Sequence, residues 1–186
     1  MVSPVERTTN GSAHAAWRPC MLPEPKAPQF WWLTLSIVAA DQITKALVHA
    51  TLTLYESRTI IPGFLDLVHV RNEGVAFGLL NSSQLPYKAA ITTTLALVAL
   101  AGIAMYARQL RSHERVARLG LACILGGAVG NLIDRARQGF VLDFVDVYWN
   151  SWHFWAFNVA DAAITIGAVL VFVDLLMVKN HVSDPV

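Results

Sequence analysis

Aspartates at the end of one apolar segment and inside the next are the residues of this sequence best suited to chemistry. The stretch 126–149 contains VLDFVDV with Asp143 and Asp146, and Asp161 lies inside the following apolar run. If VLDFVDV is extended, alternate side chains point to opposite sides, so Asp143 can meet Asp161 while Asp146 faces water. Two carboxylates at close range do not both ionise readily, so one keeps a proton while the other activates water. The pattern therefore indicates peptide-bond hydrolysis by paired aspartates, as in aspartic proteases.

The same spacing also fits a structural explanation, in which the loop acids are solvated and Asp161 only packs a helix. Asp134 is ambiguous in the same way. Its neighbour Arg135 cannot face it on a helix, whereas Arg137 at i+3 can. We interpret Asp134 as a structural counter-charge near a helix end, and the spacing alone leaves both explanations of the other acids open.

Polar side chains on the flanking helical segments could orient such a pair of acids or hold a substrate backbone. Asn131 and Arg135 are spaced i,i+4 and share one helix face. Asn158 and Asp161 are spaced i,i+3 and also share a face. An ionisable residue in a membrane helix costs roughly 3 kcal/mol and indicates a functional site by default. Asp161 therefore needs a partner from another element.

Asp41 and Lys45 form a further ionisable pair in the first apolar segment. Their i,i+4 spacing places them on one helix face, where they can form an ion pair. The pair either belongs to a functional site or only neutralises itself and stabilises helix packing, and the sequence does not decide between these roles.

The elements that must position these residues are those of a membrane protein. The chain of 186 residues is 55% hydrophobic and only 15% charged, whereas soluble domains average about 25% charged residues. Four stretches reach the about 20 mostly apolar residues that a membrane-spanning helix needs, and they cover about 30–54, 87–107, 119–138 and 156–178. Residues 1–29 and 179–186 form polar tails. The sequence therefore predicts an all-α membrane protein with one four-helix domain over 30–178.

Basic residues and aromatic residues predict how the helices lie in the membrane. Lys and Arg gather in both tails and in the loop between the second and third helices, which places those segments in the cytoplasm. In the first outer loop, alternation around 64–70 predicts a strand or hairpin, and the segment 72–83 predicts an element lying on the membrane surface. A cluster of Tyr148, Trp149, Trp152 and Trp155 marks the outer bilayer interface.

Five short motifs, taken in order, resemble those of one known family. They are DQITK at 41–45, NEGVAF at 72–77, GNLIDR at 130–135, VLDF at 141–144 and FNVAD at 157–161. Each is weak alone, but all five in this order on a four-helix chain of this size are specific. The chain resembles bacterial lipoprotein signal peptidase, also called signal peptidase II, over nearly all of the sequence beyond the first tail.

The resemblance implies an aspartic endopeptidase of the bacterial inner membrane, which removes the signal peptide of a prolipoprotein by cutting just before its diacylglyceryl-bearing cysteine. It places Asp143 and Asp161 at the positions of the catalytic pair. It also places site-lining or supporting residues at Asn72, Gly74, Asn131, Arg135, Asn158, Ala160, Asp41 and Lys45. It further implies a small extracytoplasmic β-sheet and a surface helix from the first outer loop, no metal or other cofactor, and inhibition by the cyclic peptide globomycin.

Two other classes of function compete with a peptidase. A small transporter or proton-conducting protein would also use intramembrane charges, but it predicts charges spread through the membrane depth, and here they gather toward the outer side apart from Asp174. A scaffold without catalysis would not explain why the chain bears the free-energy cost of an ionisable residue, Asp161, inside a membrane helix. A net charge of +1 and the lack of a basic-aromatic stripe give no reason to expect nucleic acid. We expect a monomer whose partners are prolipoproteins and membrane lipids.

Overall fold

The computed structural model describes residues 28–74, 87–110 and 114–181. Over these ranges, four long helices are joined by short strands. In chain order the elements are α1 (Pro28–Thr51), β1 (Ser57–Ile61), β2 (Leu65–Asn72), α2 (Lys88–Gln109), α3 (Arg115–Gln138), β3 (Val141–Trp149), β4 (Trp152–His153) and α4 (Val159–His181).

The helices lie where the apolar stretches predict them, with differences at their ends. The largest difference is at the start of α3, which begins at Arg115 rather than 119. α1 ends three residues early, at Thr51, and α4 begins and ends three residues late, at Val159 and His181. The late start of α4 has a structural cause, because Phe157 exchanges backbone hydrogen bonds with Val145 of β3. A residue held by such an isolated bridge to a strand cannot also belong to a helical turn.

Three helices in the described part of the chain are long and apolar enough to cross a membrane. They cover Ala90–Arg108, Arg115–Gln138 and Val159–Met177. α1 is not one of them, and its 24 residues include Asp41 and Lys45. Even so, α1 exposes large apolar side chains such as Leu35 and Leu47. Apolar surface of this extent on long helices is typical of contact with lipid.

α3 lies at the centre of the helix packing, and glycines let its neighbours approach closely. A Cβ placed on Gly127 would overlap the carbonyl oxygen of Ala160 in α4. A Cβ on Gly120 would lie 2.7 Å from the carbonyl oxygen of Gly167, also in α4. On the side facing α1, a Cβ on Gly130 would lie 2.6 Å from Oδ2 of Asp41. Small residues therefore allow backbone contact between helices, as the stretch from 126 predicts.

A four-stranded antiparallel sheet with the order β1-β2-β3-β4 completes the fold. β1 and β2 form the hairpin predicted in the first outer loop, with a turn at Gly63, whose φ of 77° suits glycine. The first loop does not build the sheet alone, because β3 and β4 come from the segment between α3 and α4. Most of the surface element predicted over 72–83, from 75 onward, lies outside the described residues.

A small apolar cluster joins the sheet to α1. It contains Val48 and Leu52 at the end of α1 and Leu142 and Phe144 of β3, all at least nine-tenths buried. This packing holds the first half of β3 against the helices. Asp143, which lies between Leu142 and Phe144, is thereby held at the junction of sheet and helices.

Candidate active site

Asp161 is held at the start of α4 by a reciprocal cap. The backbone amide of Asp161 donates to Oδ1 of Asn158 at 3.0 Å, and the backbone amide of Asn158 donates to Oδ2 of Asp161 at 3.3 Å. This is the hydrogen-bond pattern of a capping box, with Asn at the N-cap and Asp three residues later. The local sequence NVAD therefore both begins the helix and orients the carboxylate of Asp161.

Asp143 is buried in β3, with only 2% of its surface exposed. Nδ2 of Asn72 donates to its Oδ2 at 3.0 Å, and Nδ2 of Asn158 donates to its Oδ1 at 2.6 Å. Asn72 reaches Asp143 because it stands opposite Val141 in the β2–β3 ladder, so the two side chains are diagonal neighbours on one face of the sheet.

The environment of Asp143 favours its protonated form. Burial, and then the nearby charge of Asp161, raise the pKa of Asp143 from 3.8 to about 7, against the opposing effects of Asn72, Asn158 and Lys45. A carboxyl with such a pKa can hold a proton at neutral pH. Asp143 therefore has the property required of the acid member of a carboxyl pair.

Asn158 connects the two acids. Its side-chain amide donates to Asp143, and its backbone amide and side-chain carbonyl both bond Asp161. Asn158 itself is fully buried. The structure therefore brings Asp143 and Asp161 to opposite sides of one asparagine, although one lies in a strand and the other in a helix.

A second layer of polar residues lies behind Asp161. Nδ2 of Asn131 in α3 donates to Oδ1 of Asp161 at 2.8 Å, and Oδ1 of Asn131 accepts from Nζ of Lys45 at 3.0 Å. The predicted pair of Lys45 and Asp41 is present at 2.8 Å. Oδ1 of Asp41 also accepts from the backbone amide of Ala160 at 3.0 Å. α1 is thus joined to the start of α4 and to the site.

The partner predicted for Asp134 was wrong. Asp134 is a structural counter-charge, but its ion pair is with Lys45, at 2.8 Å, rather than with Arg137. Its other contacts are the backbone amide of Leu142 at 3.3 Å and Nε2 of Gln42 at 3.0 Å. Spacing along α3 suggested Arg137, whereas helix packing buries Asp134 against α1, where Lys45 offers the cation.

Sequence reasoning also missed Gln42. Its Nε2 lies 3.2 Å from the carbonyl oxygen of Gly130 and 3.2 Å from Oδ2 of Asp41, in addition to its bond with Asp134. Gln42 therefore helps to fasten α1 to α3. The available signal was its place inside the DQITK motif, between the two charged residues.

Arg135 connects the site to the end of β2. Its Nη2 donates to the carbonyl oxygen of Gly74 at 3.0 Å, and the backbone amide of Gly74 donates to Oδ1 of Asn72 at 3.0 Å. Because Asn72 also bonds Asp143, these contacts tie the end of α3 to the end of β2. Asn72, Gly74 and Arg135 thus border the acid pair.

Asp146 lies away from the site. Its Oδ2 is 2.8 Å from Nδ1 of His153, whose side chain is half exposed. Asp146 stands opposite Asp66 in the sheet. The alternation of an extended strand thus separates Asp143 from Asp146, as the sequence predicts. The expectation that Asp146 faces water was wrong, because its side chain is only 17% exposed and lies within the sheet.

A cavity of about 830 Å³ opens beside the acids, between α2, α3 and α4. Asp161, Asn131 and Arg135 contribute to its wall. The rest of the wall is mainly apolar and includes Leu95, Ile103, Ile124, Ala128, Ile164 and Ala168. An apolar cavity with a few polar groups at one place is typical of a binding site.

Among the described residues, no group of three His, Cys, Asp or Glu side chains could hold a metal ion.

The long apolar helices, the buried Asp143 linked through Asn158 to the partly buried Asp161, and the adjoining apolar cavity are typical of a membrane-associated hydrolase. The family described as Signal peptidase (SPase) II matches residues 33–177. The chain therefore belongs to the signal peptidase II family and is an aspartic-type protease of lipoprotein processing. Membership of this family excludes a transporter or a scaffold as its principal function.

Sequence relatives and solved structures agree with this assignment. The chain is 44% identical over 160 residues to a lipoprotein signal peptidase of Geobacter metallireducens, covering 86% of this chain and 98% of the relative. It is 52% identical over 149 residues to that of Desulforapulum autotrophicum, covering 80% and 90%. A bacterial membrane enzyme solved by the in meso method at 2.3 Å resolution superposes with a TM-score of 0.75 at 27% identity, covering 87% of this chain and 96% of that one.

Proposed function

We propose that the protein removes the signal peptide of diacylglyceryl-modified prolipoproteins by cutting before the lipidated cysteine, with Asp143 and Asp161 as its catalytic pair. The observation that carries the proposal is the shared environment of the two acids. Both are bonded by Asn158, and the charge of Asp161 helps to raise the pKa of Asp143 to about 7. Two carboxylates that influence each other in this way can share one proton.

The proposed reaction uses the proton held by Asp143. Asp161, as carboxylate, takes a proton from water, and the resulting hydroxide attacks the scissile carbonyl carbon while Asp143 gives its proton to the carbonyl oxygen. The tetrahedral diol then collapses, returning a hydroxyl proton to Asp143. The proton on Asp161 passes to the leaving amine as the C–N bond breaks. The products are a carboxylic acid and a free amine, and the pair returns to its starting state.

The cavity supports a substrate that is largely apolar. Its wall is formed mainly by apolar residues of α2, α3 and α4. The cavity therefore suits the hydrophobic part of a signal peptide or the acyl chains on the modified cysteine. The polar groups at the acids suit the peptide backbone at the cut. In this proposal Asn72, Gly74, Asn131, Arg135, Asn158 and Ala160 line or support the site, and Asp41 and Lys45 support it from α1.

The proposal includes a membrane arrangement. All four helices cross the bacterial inner membrane, as one domain over 30–178 with cytoplasmic tails at 1–29 and 179–186. α1 crosses although it contains Asp41 and Lys45, because Lys45 is paired with Asp41 and with Asp134 of α3 inside the helix packing. The sheet and the predicted surface helix of the first outer loop then lie on the outer side, near the site. The enzyme acts as a monomer, without nucleic acid.

Substitution of the two acids tests the function directly. In purified protein in detergent, Asp143→Asn and Asp161→Asn should each lower cleavage of a lipidated precursor by about 1,000-fold or more, because each removes an acid–base group. Globomycin should inhibit the unsubstituted enzyme. Asp146→Asn is the matched control and should remain active. Full activity of Asp143→Asn or Asp161→Asn would contradict the proposal that these two acids are the catalytic pair. Loss of activity in Asp146→Asn, with activity retained in Asp143→Asn, would show that Asp146 rather than Asp143 is the catalytic aspartate of this segment.

A further inference from the structure

Lys45 is a buried cation that does more than pair with acids. Its side chain is 5% exposed, and Nζ lies 2.8 Å from Oδ2 of Asp41 and 2.8 Å from Oδ2 of Asp134. Its third contact is with a neutral group, Oδ1 of Asn131, at 3.0 Å. An ammonium group has three hydrogens to donate and accepts none. All three of its donor positions are therefore used, and one of them acts on an amide that bonds Asp161.

The contact with Asn131 determines which way that amide faces. Because Nζ can only donate, the atom of Asn131 that meets it must be the carbonyl oxygen, and the NH₂ group must point the other way. That NH₂ group donates to Oδ1 of Asp161 at 2.8 Å. If the amide were reversed, its carbonyl oxygen would instead face the carboxylate, and two acceptors would oppose each other.

The same orientation extends to Asn158. Nδ2 of Asn158 lies 3.3 Å from Oδ1 of Asn131 and 2.6 Å from Oδ1 of Asp143. Its Oδ1 consequently faces the backbone amide of Asp161, which donates to it at 3.0 Å. Lys45, Asn131 and Asn158 therefore form a directed set of hydrogen bonds in which both NH₂ groups face the acids.

We infer that Lys45 is a positioning residue for the acid pair, which it orients by fixing the side-chain amides of Asn131 and Asn158. The inference rests on the proposed function, since it gives Lys45 a role in that reaction. Lys45 touches neither acid of the pair in the structure and acts through the amides between them. The ion pair with Asp134 is enough to pack α1 against α3, whereas only the contact with Asn131 also sets the direction of an amide that bonds Asp161.

The charge of Lys45 provides a second readout. Among the described residues, the charged groups near the pair include Asp41 and Lys45 of α1 and Asp134 and Arg135 of α3. Lys45 lowers the pKa of Asp143, against the larger raising effects of burial and Asp161. Removing the ammonium should therefore let Asp143 hold its proton to higher pH.

The test compares Lys45→Met with Lys45→Arg and with Gln42→Leu. Gln42 is a matched control in the same α1–α3 junction, because its hydrogen bonds go to Asp41, Gly130 and Asp134 and not to Asn131. Kinetics are measured with a lipidated precursor in detergent, below the unfolding temperature of each variant. Lys45→Met should lose about 100-fold in kcat, with KM little changed and the alkaline limb of the pH profile at higher pH. Gln42→Leu should lose stability but keep the wild-type kcat and alkaline limb.

Lys45→Arg keeps a group that only donates and should retain most of kcat, so it serves if Lys45→Met does not fold. The inference is overturned if folded Lys45→Met keeps the wild-type kcat and pH profile. It is equally overturned if folded Lys45→Arg is inactive, or if Gln42→Leu reproduces the kinetic change of Lys45→Met. The proposed function fails separately, through full activity of Asp143→Asn or Asp161→Asn.

Discussion

The side-chain amide of Asn158 donates to Oδ1 of Asp143 across 2.6 Å, from the N-cap of α4 to the buried first half of β3. The same residue also caps α4 through its Oδ1, which accepts from the backbone amide of Asp161. One asparagine therefore performs two separable tasks. Its carbonyl oxygen helps to begin a helix, and its NH₂ group holds a buried acid.

Asn158→Ser should separate these two tasks. Serine keeps an oxygen that can cap the helix, but it has no NH₂ group for Asp143. Activity on a lipidated precursor should fall by about 10–100-fold, while thermal unfolding in detergent changes by only about 1 kcal/mol. Asn158→Ala, which also removes the cap, should lose more stability than Asn158→Ser. Equal stability of the two variants would show that the side-chain cap contributes little.

The activity of the enzyme should fall as the pH rises above about 7. The pKa of Asp143 is raised from 3.8 to about 7, so its proton is present below that pH and is lost above it. The proposed reaction needs that proton on the carbonyl oxygen. A plot of kcat/KM against pH should therefore show an alkaline limb that falls about tenfold per pH unit. A profile that stays flat to pH 9 would be incompatible with Asp143 as the acid.

Gly127→Ala should destabilise the fold through the contact between α3 and α4. The added methyl group would overlap the carbonyl oxygen of Ala160, which is backbone and cannot move without shifting α4. We expect a loss of about 1–3 kcal/mol in thermal unfolding, together with reduced activity, because Ala160 adjoins Asp161. Gly102→Ala in α2 is the matched control, since a Cβ there meets nothing within 4 Å. It should be neutral or stabilising by up to about 1 kcal/mol, and similar losses in both variants would contradict the packing argument.

Removal of divalent metal should leave activity unchanged. In the proposed reaction two carboxylates activate the water, so the chemistry has no step for a metal ion. Cleavage by the purified enzyme should be the same before and after treatment with EDTA. Inhibition by EDTA that is reversed by added zinc would instead indicate metal-assisted hydrolysis.

Local patterns in the sequence predict much of the site because they act within one element. The period of two in VLDFVDV separates Asp143 from Asp146, and β3 is extended as that pattern requires. The spacing of Asn158 and Asp161 predicts that they share a face. In the structure the two residues are on one side of the helix start and bond each other in a capping box. The i,i+4 spacing of Asp41 and Lys45 likewise predicts their ion pair.

Contacts between elements were less predictable from spacing. Asp134 could reach Arg137 along α3, but it pairs with Lys45 of α1. The sequence between α1 and α2 predicts a hairpin, which β1 and β2 form. The sheet also contains β3 and β4, which lie in the segment between α3 and α4. The start of α4 depends on Phe157, which an isolated backbone bridge to Val145 of β3 holds outside the helix.

By itself, the amino-acid sequence determined the four apolar helices, the face on which each polar residue lies and the motifs of the family. Only the tertiary structure decided that Lys45 meets Asp134 and Asn131, and that Asn158 lies between Asp143 and Asp161. The reason is that residue spacing sets the geometry within a helix or strand. Which faces of different elements meet depends on close packing, here at glycines such as Gly127 and Gly130, and on the pairing of buried charges.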